Sequence, residues 1–150
     1  MAWAIENDHD EFWIGLTDEG SEGDWKWESG NDLEDTTGDW AGWKDNEPNN
    51  KNGENCAAAG CWTNWVCDIG CWRERAIMCQ KDALTLIDDI NFEEANLESG
   101  LHLYYTTKAM TYQQAKYQCE DMGARLADES DVEEVIFLCY CTALLPFEVI

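Results

Sequence analysis

Residues 40–79 read WAGWKDNEPNNKNGENC, then AAAGCWTNWVCDIG, and close with CWRERAIMC. This stretch combines a polar loop with closely spaced cysteines. Calcium in proteins takes about six to eight oxygen ligands from carboxylates, amides, backbone and water. A loop held by cysteines can supply that many, although a solvated acidic loop is the simpler alternative. The oxygen-bearing side chains lie in three groups: Glu47 and Asn49 on either side of Pro48, then Glu54-Asn55, then Thr63-Asn64.

Composition predicts one compact domain in an oxidising compartment. The chain has 150 residues, of which 45% are hydrophobic and nine are Trp, enough for a real core. Its eight Cys favour a disulfide framework. Zinc is the rival interpretation, but the cysteines from 56 to 79 lack paired C-x-x-C knuckles.

The net charge of −23, from 32 acidic and 9 basic residues, argues for some partners and against others. Such a surface repels nucleic acid and anionic membranes and attracts divalent cations. No apolar run approaches the length of a membrane span. Residues 1–8 lack the basic and apolar regions of a signal peptide. We therefore expect an extracellular, secreted protein whose leader is absent from this sequence.

Apolar patterns place the regular elements. The run Phe12-Trp13-Ile14-Gly15-Leu16 predicts a buried strand, and residues 24–28 alternate like a half-buried one. Residues 57–79 predict short strands, and residues 81–100 a partly helical linker. After this linker, alternation from residue 101 predicts another strand.

Two helices are expected near the C-terminus. Thr111 and Gln114 form the T-x-x-Q pattern of a capping box, and Gly123 ends that helix. Ser130 opens a second helix with a similar box to Glu133.

These motifs resemble the C-type lectin family. Residues 12–16 are similar to its W-I-G-L strand, and residues 47–49, 54–56, Trp62 and 67–79 to its long-loop half. The resemblance implies an α+β fold: a double-loop domain with two helices, small antiparallel sheets and a long calcium-type loop.

The halves stand in permuted order. Residues 101–138 resemble the first half of the family's domain, yet they follow the long-loop half. We therefore divide the chain into residues 1–80 (second half), 81–100 (linker) and 101–150 (first half). The halves could close within one chain, exchange between neighbouring chains into a ring or filament, or derive from a tandem array.

The resemblance also implies disulfides. Cys79 would pair with Cys119, closing a loop of about forty residues worth roughly 3–4 kcal/mol, and Cys56 with Cys67. Cys61 and Cys71 are additional and are expected to pair with each other. Cys139 and Cys141 remain, either as a local bridge or as links to another subunit.

In the family, a primary calcium site also binds sugar. Its ligands carry over to Glu47, Asn49, Glu54, Thr63 and Asn64. The sugar-binding set is Glu47, Asn49, Glu54 and Asn64, since a ligating carboxylate can still accept a hydroxyl proton and a ligating amide can still donate. The E-P-N order resembles the version that accepts mannose, N-acetylglucosamine or fucose. Pro48 is expected to follow a cis peptide bond.

Two departures weaken the expected calcium binding. Thr63-Asn64 stands where the family has Asn-Asp, which removes one negative charge. The family's auxiliary site falls on Asp18, Glu22, Asn50, Glu54 and Asn55, with amides at 50 and 55 where carboxylates are expected.

We expect a calcium-dependent, carbohydrate-binding lectin of mannose type. The alternative is an acidic extracellular structural protein that polymerises head to tail without binding sugar. Nothing in the sequence suggests an enzyme: His9 and His102 are the two histidines, and no nucleophile motif accompanies them.

Overall fold

We analysed a computed structural model of the chain, which describes residues 11–30, 33, 42–60, 65–82, 93–96 and 101–128. Its elements, in chain order, are the strands β1 Glu11–Thr17, β2 Lys26–Trp27, β3 Cys56–Gly60, β4 Val66–Ile69, β5 Arg75–Asp82, β6 Glu93–Asn96 and β7 Leu101–Met110, the helix α1 Tyr112–Asp121, and the strand β8 Arg125–Leu126. The expected second helix and Cys139 and Cys141 lie outside the described residues. Within the described part, no helix is long and apolar enough to cross a membrane.

The strands form one mixed sheet in the order β4-β3-β1-β5-β7-β6, with β2 paired to β1 and β8 to β5. Most neighbours are antiparallel, but β1 and β5 run parallel, with Phe12 opposite Ala76 and Trp13 opposite Ile77. The apolar run that predicted β1 is buried throughout its centre. It lies in the middle of the sheet because both of its faces meet a core.

The C-terminal part packs onto the N-terminal part within the same chain. Strand β5 pairs with β7 along its length, from Arg75 opposite Met110 to Asp82 opposite Leu101. Strand β8 pairs with β5 as well, through Cys79 opposite Leu126. The expected Cys79–Cys119 disulfide is confirmed and joins β5 to α1.

Helix α1 begins and ends as its sequence predicts. The Thr111 side chain accepts from the backbone N–H of Gln114, and the Gln114 side chain accepts from the Thr111 N–H, which completes the capping box. Gly123 has a φ of 67°, a left-handed conformation that glycine adopts without steric cost. The buried face of the helix carries Tyr112, Ala115 and Cys119.

The core has two parts on opposite faces of the sheet. One is rich in tryptophan and includes Trp25 and Trp43, whose rings meet edge to face at 4.9 Å. The other joins both halves of the chain: the ring of Trp13 lies edge to face with that of Tyr112 at 5.3 Å. The Trp13 indole N–H also donates to the carbonyl of Met110 at 2.7 Å.

The expected pairing of Cys56 with Cys67 and of Cys61 with Cys71 is wrong, because Cys56 is bonded to Cys71. The register of β3 and β4 explains why. Cys67 lies opposite Ala58, whereas Cys56 lies opposite Ile69 and so close to residue 71. Cys67 is free and half-buried, and burial raises the pKa of its thiol to about 12.

The segment read as a linker contains regular structure where it is described. Residues 81 and 82 complete β5, and β6 pairs antiparallel with β7 from Glu93 opposite Tyr105 to Asn96 opposite His102. These parts are strands and not helix.

Candidate functional site

The polar loop before β3 combines a cis peptide bond with residues in the left-handed conformation. The Glu47–Pro48 peptide bond is cis, as expected. Asn46, Asn50 and Asn52 have positive φ values, which asparagine tolerates better than most residues. These backbone conformations let the loop turn tightly within a few residues.

Asp68 on β4 is the organising side chain of this site, and our sequence analysis did not find it. Its carboxylate is 2% exposed. It accepts from the backbone N–H of Asn49 at 2.9 and 3.1 Å and from that of Asn50 at 2.6 Å. Hydrogen bonds from N–H groups to a carboxylate are among the stronger ones in proteins. Asp68 thus fixes the backbone immediately after the cis proline.

Hydrogen bonds within the loop bring the predicted ligands together. The Asn49 side-chain amide donates to Glu47 and its oxygen accepts from the Lys51 N–H at 2.8 Å. The Asn50 side-chain oxygen accepts from the Glu54 N–H at 2.9 Å. Glu47, Asn49 and Glu54 are therefore held beside Asp68. The remaining expected primary ligands, Thr63 and Asn64, lie outside the described residues.

The carboxylates of this cluster repel one another. The pKa of Glu47 is raised to about 7. Burial is the largest cause, followed by the hydrogen bond with Asp68 and the negative charge of Asp68. Burial and repulsion by Asp68 likewise raise the pKa of Glu54, against the lowering effect of Arg73 and Lys51. A cation among these oxygens would relieve the repulsion.

A second group of oxygens lies next to the first, on the turn after β1. Asp18 is 2% exposed and accepts from the Gly23 N–H at 2.7 Å through one oxygen. The backbone of Asn55 accepts from the Asp18 N–H at 3.2 Å. The other side-chain oxygen of Asp18 and the side-chain oxygen of Asn55 are buried without a hydrogen-bond donor. Buried acceptors in this state are costly, and a metal ion is one partner that can satisfy them.

Electrostatics link the two groups. Burial raises the pKa of Asp18, and repulsion by Asp68 adds to the rise. The pKa of Glu22 is raised by desolvation and by the charges of Asp18 and Asp68. The expected auxiliary ligands Asp18 and Glu22 therefore lie close enough to Asp68 to be affected by its negative charge.

The carboxylate oxygens around Asp68 do not form a compact metal centre in the part of the chain that the structure describes. Among the described residues, Glu19 with Cys56 and Cys71 is the group whose ligand atoms lie within 4.8 Å of one another. Because those two sulfurs form a disulfide, this group is not a metal site.

Comparison with known sequences identifies the family of the chain. The family model described as "Lectin C-type domain" matches residues 2–81, more than half of the chain. The chain belongs to the C-type lectin domain family. The matched residues include β1, the loop with Asn49 and Glu54, and β4 with Asp68.

Three curated relatives each match about half of the chain. The hepatic lectin of Gallus gallus is 39% identical over 77 residues, covering 49% of this chain and 34% of that protein. C-type lectin domain family 17, member A of Homo sapiens is 31% identical over 70 residues, covering 47% and 17%. C-type lectin domain family 4 member M of Pan troglodytes is 33% identical over 79 residues, covering 51% and 16%. The chain thus spans about a third or less of these relatives' length. No solved structure matches significantly.

Proposed function

We propose that this C-type lectin domain binds carbohydrate in a calcium-dependent manner through the cluster around Asp68. The observation that carries the proposal is the buried Asp68 carboxylate, which holds the backbone of Asn49 and Asn50 while repelling Glu47 and Glu54. Such a cluster is unfavourable by itself and favourable around a cation.

The donor set fits calcium better than a soft metal. It consists of carboxylate and amide oxygens, the ligands that calcium prefers. The unpartnered buried oxygens of Asp18 and Asn55 support a second ion in the auxiliary group, completed by Glu22, Asn50 and Glu54. Asp68 restores the negative charge that Asn64 does not provide, which removes one reason to expect weak calcium binding.

Each residue has a role in holding a sugar. When bound, calcium supplies positive charge and open coordination positions for hydroxyl oxygens. Glu47 and Glu54 can accept hydroxyl protons, and the Asn49 amide can donate. Asp68 fixes the position of Asn49 through the backbone. The E-P-N order favours mannose, N-acetylglucosamine or fucose, and Asn64 remains a proposed further contact.

The test is retention of the disulfide-intact protein on mannose–agarose in millimolar calcium, followed by elution with a chelator. We expect retention, release by the chelator, and loss of retention in Asp68→Asn. Asp45→Asn is the matched control, because Asp45 is an exposed carboxylate of the same loop. Flow-through of a protein with confirmed Cys56–Cys71 and Cys79–Cys119 bonds would overturn the proposal.

We also propose that the chain is a circular permutant whose halves close on each other. Pairing of β5 with β7 and the Cys79–Cys119 bond support the proposal that the two halves can close on each other within one chain. The alternative, an acidic assembly protein, requires exchange into polymers, to which Cys139 and Cys141 could add links. A monomer by light scattering under non-reducing conditions would favour closure, whereas concentration-dependent polymers would favour assembly.

Other expectations follow from the same features. The disulfides support an extracellular location, and the family supports binding without catalysis. The charge of −23 argues against nucleic-acid partners.

A further inference from the structure

A groove is lined by residues other than those of the cluster around Asp68. It runs between the exposed side of α1, the end of β7 and the turn before β5, and has a volume of about 800 Å³. Small-ligand sites in proteins commonly have volumes of roughly 300–1,000 Å³. None of its lining residues belongs to either group of candidate calcium ligands.

The helix side of the groove is a regular stripe. Gln114, Tyr117, Gln118 and Asp121 are spaced three and four residues apart, so they lie on one face of α1. Tyr117 is 63% exposed, one of three large hydrophobic side chains that are exposed in the described residues. Solvent covers much of its ring, although an aromatic ring stabilises a protein mainly when it is buried.

One amide in this stripe is already oriented. The side-chain oxygen of Gln114 accepts from the Thr111 N–H at 3.1 Å within the capping box. This bond occupies the oxygen and leaves the two amide N–H donors of Gln114 available to a ligand. A donor held by the fold loses less conformational freedom on binding than a mobile one.

The chemistry of the groove matches a sugar. A pyranose presents an apolar C–H face and a rim of hydroxyl groups that both donate and accept. Tyr117 offers a flat apolar surface, Gln114 offers donors, and Gln118 offers both donors and acceptors. Asp121 and Glu74 offer further acceptors. We propose that this groove is a second saccharide site that does not require calcium.

The charged residues that line the groove indicate which saccharides can bind there. Lys108 is the basic residue of the lining, and it is outnumbered by acidic residues that include Glu74 and Asp121. Together with the overall charge of −23, this excess disfavours sialylated or sulfated sugars. The occupant is therefore an uncharged oligosaccharide, whose affinity depends little on salt.

The experiment uses the intact, isotope-labelled protein in excess chelator, titrated with mannotriose, cellotriose and chitotriose. We expect at least one of them to shift the side-chain amide signals of Gln114 and Gln118 in two-dimensional NMR. Tyr117→Ala should weaken that binding roughly tenfold or more, as removal of an aromatic anchor does. Trp72→Ala is the matched control, since Trp72 is 62% exposed outside the groove.

The two sites can be separated by their variants. Asp68→Asn should abolish calcium-dependent retention on mannose–agarose and leave the chelator-resistant shifts unchanged. The inference is overturned if none of the three trisaccharides shifts these signals. It is also overturned if Tyr117→Ala binds like the parent protein, or if the shifts map to residues 47–55.

Discussion

Replacement of Glu47 by glutamine should stabilise the calcium-free protein while removing its affinity for calcium. The pKa of Glu47 rises from 4.5 to about 7 in the fold. One pKa unit corresponds to about 1.4 kcal/mol. Because Glu47 is partly open to solvent, which screens the repulsion, ionised Glu47 costs the fold roughly 1–2 kcal/mol above neutral pH. Glutamine has the same shape, accepts a hydrogen bond from Asn49 and carries no charge.

The sign of the pH dependence follows from the same shift. Because the folded carboxyl binds its proton more tightly than the unfolded one, the free energy of unfolding should rise as the pH falls from about 8 to 5. Most of the change should come between pH 7 and 4.5, the two pKa values. Raised pKa values of Asp18 and Glu54 act in the same direction.

The assay is denaturant unfolding in excess chelator, followed by circular dichroism at several pH values. At pH 8 we expect Glu47→Gln to be about 1–2 kcal/mol more stable than the parent protein, or roughly 2–8 °C in Tm. Asp45→Asn controls for the general reduction of negative charge. The reasoning is refuted if the parent loses stability from pH 8 to pH 5.5, or if Glu47→Gln is no more stable than Asp45→Asn at pH 8.

Three further outcomes are expected. Asp68→Asn should lower calcium affinity at least about tenfold in calorimetry, since it removes one carboxylate and part of its hydrogen bonding to backbone N–H groups; unchanged affinity would contradict the role of Asp68. Peptide mapping under non-reducing conditions should recover Cys56 linked to Cys71. Cys71→Ala should lower the free energy of unfolding by about 3 kcal/mol. Cys67→Ala, by contrast, should leave the Cys56–Cys71 and Cys79–Cys119 bonds intact. Thr111→Ala should cost about 1 kcal/mol in thermal unfolding through loss of the helix cap; no change would argue against the capping box.

Local signals in the sequence predicted the parts of the fold that depend on local physics. The apolar run of residues 12–16 gave a buried strand because both of its faces meet the core. The Thr111–Gln114 box and Gly123 fixed both ends of α1 within a residue or two. The strand β6 was not predicted, because its sequence Glu-Glu-Ala-Asn has low β-propensity and is held by pairing with β7.

The disulfides and the central acid of the site needed information that local sequence does not contain. Four cysteines between residues 56 and 71 allow three ways of forming two bonds. The register of β3 against β4 brings Cys56 close to residue 71 and sets Cys67 opposite Ala58, which local sequence does not reveal. Asp68 lies in the strand sequence Val-Cys-Asp-Ile. An isolated acid flanked by apolar strand residues was a signal in itself, since fully buried carboxylates are rare unless they have partners.

The second core, which joins Trp13 and Ile77 to Tyr112 and Leu126, has a practical consequence for anyone who shortens this protein. Residues 2–81 match the family model and are therefore the fragment that one would first choose to express. Such a fragment would leave the buried faces of Trp13 and Ile77 uncovered and Cys79 without its partner. It should aggregate or form mixed disulfides even though it carries the described residues of the proposed calcium and sugar site. A fragment intended for ligand screening must therefore extend at least through β8.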